Sequence, residues 1–279
     1  MSIRFKLLFL FLIMTQAVVL PLKSQEITYG LNNGNYVEID RRKVYYEEYG
    51  SGDTVLMLHG SPGSIAHFSK LIPELSRNYT VIAIDTPGQG QSDRAHNVSY
   101  QLLAANASKF IDKIGIKKCS VVGWSDGATT GLLLAAKRPD VVSKVFASGG
   151  FSNIDGFTDE DKNFWSAITP EKVEQSWGGW HIEYQRLYPK NDWKTLIKDL
   201  KSMVNDEIYI TEEELKSISG KVLLAYGDND AFTLEHVVYL YRTIPGCQLM
   251  IFPGTGHSTF RDQPEMMSLA VKNFLKNDN

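Results

Sequence analysis

The sequence predicts an α/β protein built on a mostly parallel, eight-stranded sheet with helices on both faces. Three observations carry this. From about residue 35, short β-rich runs alternate with longer helical patterns. All but the first two runs are continuously apolar, as strands covered on both faces require. Gly, Pro or Asp bounds most of them. The 279 residues are 43% hydrophobic, enough for one substantial core and too apolar for a disordered or collagen-like chain.

Taken in order, 36–40 and 43–49 alternate and read as an opening hairpin. Six apolar runs follow at 54–58, 80–84, 119–123, 144–147, 222–226 and 248–252. Helical patterns cover 102–114, 128–137 (stopped by Pro139), 234–243 and 264–275. The rhythm breaks between Gly150 and Lys221, a stretch too long for a bare loop. It is expected to be a helical cap over one end of the sheet. The organisation is then core 25–150, cap 151–219 and core 220–279. Residues 151–214 hold 14 acids against 7 bases, so the cap is acidic. It also carries Trp165, Trp177, Trp180 and Trp193. Two readings of these rings stay open: helix packing, or an aromatic wall in which Trp165, Trp177 and Trp180 join Trp124 around a substrate.

Residues 1–24 are different material. Arg4 and Lys6 precede an apolar run at 7–20, and Ser24 is a small residue at a possible cleavage point. This reads as a signal peptide of a secreted or periplasmic protein; the alternative is an uncleaved membrane anchor over 7–20. Lys plus Arg number 29 against 32 acids, with no basic run, so nucleic acid is not an expected partner. Cys119 and Cys247 make neither a disulfide framework nor a zinc motif. Gly88 and Gly90 lack the continuation of a dinucleotide fingerprint, and no cofactor or metal is expected.

The chemistry is concentrated at Gly123-Trp124-Ser125-Asp126-Gly127, between an apolar run and a helical pattern. Gly-x-Ser-x-Gly at a strand–helix junction forces the serine into an exposed, strained turn. A serine hydroxyl needs a base. His257 lies just past the last apolar run, and functional groups of open parallel sheets gather at such strand ends. The histidine needs a carboxylate to fix its tautomer. Asp228 and Asp230 compete after the run 222–226. Asp230 is favoured, being farther into the loop, while Asp228 suits a turn cap. Backbone N–H groups of Ser61 and Asp126 are the expected oxyanion donors. Pro62 has no N–H to offer. His96, His181 and His236 have no motif around them. The Asp126 side chain has two readings: a carboxylate beside the nucleophile that attracts a cationic acyl group, or a helix-start residue bonded to backbone.

These pieces together resemble the α/β-hydrolase family over nearly the whole chain from about Tyr36. The likeness runs through the His59-Gly60 loop, the Asp85-x-x-Gly-x-Gly-x-Ser92 turn, the serine motif, the Gly227-x-x-Asp230 loop and Gly256-His257. It implies Ser125, Asp230 and His257 as a catalytic triad and the region after Gly150 as a lid. Gly-Trp-Ser-Asp-Gly is similar to the motif of valacyclovir hydrolase-like esterases, which implies hydrolysis of small-acid or α-amino-acid esters. Dehalogenases and epoxide hydrolases of the family share the His-Gly-x-Pro loop but use Asp where this chain has Ser125. The expectation is a cofactor-free serine esterase acting on a small-molecule ester. The alternatives are an aminopeptidase resembling proline iminopeptidase, with Glu174 or Glu183 holding an amine, and a hydrolase-fold binding protein.

Overall fold

The computed structural model describes residues 27–205 and 209–276. The N-terminal segment read as a signal or anchor lies outside the described residues.

The opening strands are β1 (Asn35–Ile39) and β2 (Arg42–Tyr49), followed by β3 (Asp53–Leu58) and a 3-10 turn at Ile65–Phe68. Then come α1 (Ile72–Leu75), β4 (Tyr79–Ile84), α2 (Tyr100–Ile114), β5 (Cys119–Trp124), α3 (Asp126–Lys137) and β6 (Val142–Ser148). Five helices intervene: α4 (Asp159–Ala167), α5 (Pro170–Ser176), α6 (Trp180–Leu187), α7 (Trp193–Val204) and α8 (Glu212–Ser217). The chain closes with β7 (Lys221–Gly227), α9 (Leu234–Thr243), β8 (Gln248–Phe252), α10 (Thr259–Asp262) and α11 (Pro264–Lys276). All eight strands and the four long helices of the sequence reading begin and end within two residues of expectation. The short helices α1 and α10 carry no periodic signal and were not anticipated.

The eight strands form one sheet in the order β1-β2-β4-β3-β5-β6-β7-β8. β1 and β2 pair antiparallel, as do β2 and β4, and every later pairing is parallel. The continuous apolar runs are explained by burial on both faces. Leu56, Leu58, Val121 and Val145 join one core under α2 and α3, while Val55, Met57, Val122 and Phe146 join the other under α11. α2 shows how its ends are set: the Ser99 side chain accepts from the Leu102 amide, and Gly115 closes it with φ 80°.

The strand order reverses between β3 and β5, which lie side by side with Leu58 opposite Gly123. A crevice opens outside the carboxyl ends of the strands at such a reversal. The helices α4–α7 pack on one another, whereas α8 returns to the core against α3 and α9.

Candidate active site

Ser125 stands where β5 hands over to α3, with φ 56° and ψ −122°. A non-glycine residue at positive φ is strained and persists only where its surroundings fix it. The flanking glycines explain how the turn fits. A Cβ on Gly123 would come 2.4 Å from the Gly127 carbonyl oxygen, and one on Gly127 would come 1.9 Å from that of Leu58. The Ser125 amide donates to the Ser148 carbonyl at 2.8 Å, tying the turn to the end of β6.

The structure brings three of the anticipated side chains into one line. Ser125 Oγ is 2.8 Å from His257 Nε2, and His257 Nδ1 is 2.7 Å from Asp230 Oδ1. The Asp230 carboxylate is buried and also accepts from the amides of Ala231 at 2.7 Å and Gly227 at 3.2 Å. Burial pulls the His257 imidazole down. The Asp230 hydrogen bond and charge, with the charges of Asp126 and Asp161, outweigh this and raise it above the ordinary histidine value. The pattern is a base held in one tautomer, with its cationic form stabilised.

Asp228 has a different part. Its Oδ1 accepts from the Thr255 amide at 3.0 Å, and backbone N–H groups of Gly254 and Thr255 hold its carboxyl below the usual range. Instead of capping only its own turn, it fastens the loop that carries His257.

Ser61 and Asp126 line the same pocket as Ser125 and His257. Asp126 opens α3, so its amide has no acceptor within the helix. Burial raises the Asp126 carboxyl, partly offset by the Tyr100 hydroxyl, which donates at 2.5 Å, and by the hydroxyl and N–H of Ser61. The side chain therefore turns to Tyr100 and Ser61 rather than to backbone of its own helix. Behind the loop, Gln89 braces both ends, donating to Ser61 Oγ at 2.6 Å and accepting from the Gly63 amide at 2.8 Å. The 85–93 turn is otherwise knotted by Asp85, whose buried carboxyl is pushed up to about 8 and accepts from the amides of Ile65 and Gln91. Nothing in the sequence marks Gln89 for this task.

The pocket has a volume of about 170 Å³. Its polar end is Ser61, Ser125, Asp126 and His257, and Asp161 enters from the cap. The walls are Phe151, Phe157, Phe164, Trp165, Val204, Ala231 and Phe232. Phe151, Phe157 and Phe232 pack with centroids 4.8–4.9 Å apart, and Phe232 turns an edge to the His257 ring at 5.5 Å. Phe157 and Phe232 also pair as a single antiparallel bridge, which joins the cap's entry to the Asp230 loop.

Of the four tryptophans expected around the substrate, only Trp165 lines this pocket. Trp177 and Trp180 do not. They pack edge to face at 5.3 Å, and Trp180 continues onto Tyr184 at 4.9 Å, so they hold the cap together. Trp124 is also absent from the walls, because strand alternation turns it, like Val122, to the sheet face that carries α11. Glu174 and Glu183 lie away from the pocket and pair on the cap surface with Lys194 and Arg186. His236 is buried outside the pocket: its Nε2 accepts from the Ser152 amide, and burial pulls it to about 4. The pocket phenylalanines and Asp161 went unanticipated, since they come from the stretch 151–164 and from the distant loop at Phe232 and meet only in the folded chain.

Among the described residues no cluster of His, Cys, Asp and Glu is arranged to hold a metal ion, and no helix is long and apolar enough to cross a membrane.

A family model described as the alpha/beta hydrolase fold matches residues 53–175. The human serine hydrolase BPHL (Homo sapiens) is 26% identical over 257 residues, covering 86% of this chain and 85% of that protein. The 2-hydroxy-6-oxo-6-phenylhexa-2,4-dienoate hydrolase of Burkholderia cepacia is 25% identical, covering 84% and 92%. A solved meta-cleavage product hydrolase from Pseudomonas fluorescens IP01 superposes with a TM-score of 0.74 at 22% identity, over 88% of this chain and 98% of that one. That structural likeness concerns the fold.

Proposed function

Because the chain has the α/β-hydrolase fold and the named relatives it resembles are hydrolases, we propose that it is a serine hydrolase cleaving small carboxylic esters through an acyl-enzyme. The observation that carries the proposal is the Ser125–His257–Asp230 line, at 2.8 and 2.7 Å, opening into a small aromatic pocket. In this reading His257 takes the Ser125 proton as Oγ attacks the ester carbonyl, and Asp230 stabilises the imidazolium that forms. The amide of Asp126 receives the developing oxyanion, and the Ser61 amide joins it by leaving the Asp126 carboxylate that holds it in the resting site. His257 then returns its proton to the leaving alcohol. Water, activated by the same histidine, attacks the acyl-enzyme and frees Ser125.

The pocket supports a class of acyl group. Its walls are apolar, Asp126 and Asp161 supply its carboxylates, and among the described residues no Lys or Arg lines it. Neutral or cationic acyl groups with an apolar part, aminoacyl groups among them, suit it better than anionic ones. The amine clamp of the aminopeptidase reading draws no support from Glu174 and Glu183, which stand outside the pocket. The N-terminal segment, read as a signal peptide, supports a secreted or periplasmic protein.

The test is a panel of p-nitrophenyl, aminoacyl and dicarboxylic monoesters with matched amides. Turnover of neutral and aminoacyl esters, with amides and anionic esters slow, is the expected pattern. Amides cleaved as fast as esters would move the assignment to a peptidase.

A further inference from the structure

Trp124 immediately precedes the serine, yet its ring leaves the pocket. Like Val122, it packs on the core face that carries α11. There its indole lies between two loops. On one side the ring meets His67, from the turn after Ser61, at 4.8 Å and 77°. On the other it meets the His257 ring at 5.7 Å and 35°. Its Nε1 donates to the His257 carbonyl oxygen at 2.9 Å, and an indole has no second donor to give.

The loop between β8 and α10 needs such a tie. Asp228 holds the Thr255 amide, and the Asn229 amide donates to the Thr255 carbonyl at 3.0 Å. On the far side, Thr259 Oγ1 meets Ser148 Oγ at 2.7 Å. His257 lies between these anchors, and the Trp124 indole is what grips its backbone.

We infer that Trp124 is a positioning residue: its indole N–H fixes the backbone of His257 so that the imidazole meets Ser125 and Asp230 at once. The inference rests on the proposed triad. Its physical basis is a short lever. Trp124 is bonded covalently to Ser125, so one rigid side chain sets the separation of nucleophile and base. Without it, that separation depends on two loops carried by different strands. A misplacement of about 1 Å in a reacting pair costs roughly 100-fold in rate. Substrate affinity is untouched, because the ring does not line the pocket.

Two replacements of the indole test this. Trp124→Phe removes the N–H and some volume. Genetic incorporation of 3-benzothienylalanine at position 124 puts sulfur in place of the N–H and keeps the two-ring shape, so packing is preserved. With p-nitrophenyl acetate, kcat is expected to fall roughly 10- to 100-fold in both, with KM within about twofold of wild type. The acid limb of kcat should also move to lower pH. The groups that raise His257 are Asp230, Asp126 and Asp161, and a loosened loop weakens the first, which contributes most among them. A merely structural residue would shift the melting temperature but not this limb. Wild-type kcat and limb in the benzothienyl variant would overturn the inference, as would a raised KM at unchanged kcat. Ser125→Ala, assayed alongside, separates the two claims. If it is dead while the benzothienyl variant behaves as wild type, only the positioning role fails. If it is active, the triad fails and the positioning role with it.

Discussion

The strand-end loops and the cap meet at one pocket but are held in place by different means. Ser125, Asp230 and His257 each lie within five residues of a strand's carboxyl end. Backbone amides and short-range hydrogen bonds fix them: the Ser148 carbonyl on Ser125, the Ala231 and Gly227 amides on Asp230, the Trp124 indole on His257. The cap coheres through its own rings, shares the apolar core that lies under α2 and α3, and is pinned by polar ties besides. Tyr188 Oη meets Ser64 Oγ at 2.7 Å, Asn191 donates to the carbonyls of Gly90 and Ser92, and Arg94 forks onto Asp199 with both bonds at 3.0 Å. The two regions should therefore fail differently when altered. Damage at the strand ends should appear in kcat; damage to the cap should appear in selectivity and stability.

The largest effects belong to the strand ends. Ser125→Ala, His257→Ala and Asp230→Asn should each lower kcat by about 10⁴ to 10⁶ while circular dichroism and thermal melting show a folded protein. Asp228→Asn should cost on the order of 10-fold or less, since it loosens the His257 loop without removing a reacting group. A dead Asp228→Asn beside an active Asp230→Asn would reverse the two acids.

The cap comes next. Phe164→Ala and Trp165→Ala open the pocket wall, so KM for apolar acyl esters should rise about 10-fold with kcat little changed, a loss of roughly 1.4 kcal/mol of apolar contact. Trp177→Ala and Trp180→Ala should leave the ranking of esters intact and lower stability by about 2 kcal/mol, read from urea unfolding. A changed ester ranking in the latter pair would return those rings to the substrate.

Smaller again is the charge effect. Free aminoacyl esters should exceed their N-acetylated forms in kcat/KM, and Asp126→Asn, which keeps the backbone N–H, should narrow that gap by about 5-fold. Asp161→Asn should narrow it as well. Equal rates for both esters in the wild type would leave a carboxylesterase indifferent to charge.

The pH profile separates base from cap. His257 must be neutral to accept a proton, and its value is raised, so kcat/KM should be lost as pH falls through a midpoint above 6.5. Asp161→Asn removes one raising charge and should move that midpoint slightly down. A midpoint below 6.5 in the wild type would mean that burial outweighs the carboxylates.

What was legible in the sequence follows the same division. The parallel strands announced themselves because both their faces are buried, as at Val55 to Leu58. The serine turn was legible because Gly123 and Gly127 leave no room for a Cβ. The Asp230 and His257 positions followed from lying just past strand runs. The pocket walls were not legible. Phe151, Phe164 and Phe232 lie on separate segments, and nothing local distinguishes a phenylalanine facing a pocket from one facing a core. Trp124, Trp177 and Trp180 misled for the converse reason. An aromatic ring near a reactive residue, or clustered in a cap, suggests a substrate wall. Here strand alternation and helix packing turned those rings inward. The Asp126 side chain left both readings open in the sequence because its partner, Tyr100, stands 26 positions away.

The central claim is that Ser125 is the nucleophile activated by His257. Treating the folded protein with a fluorophosphonate and mapping the adduct by tandem mass spectrometry tests it most directly. One phosphonyl group on Ser125 is predicted, formed within minutes in wild type and lost in His257→Ala. Labelling on another residue, or labelling of Ser125 at the same rate without His257, would contradict it.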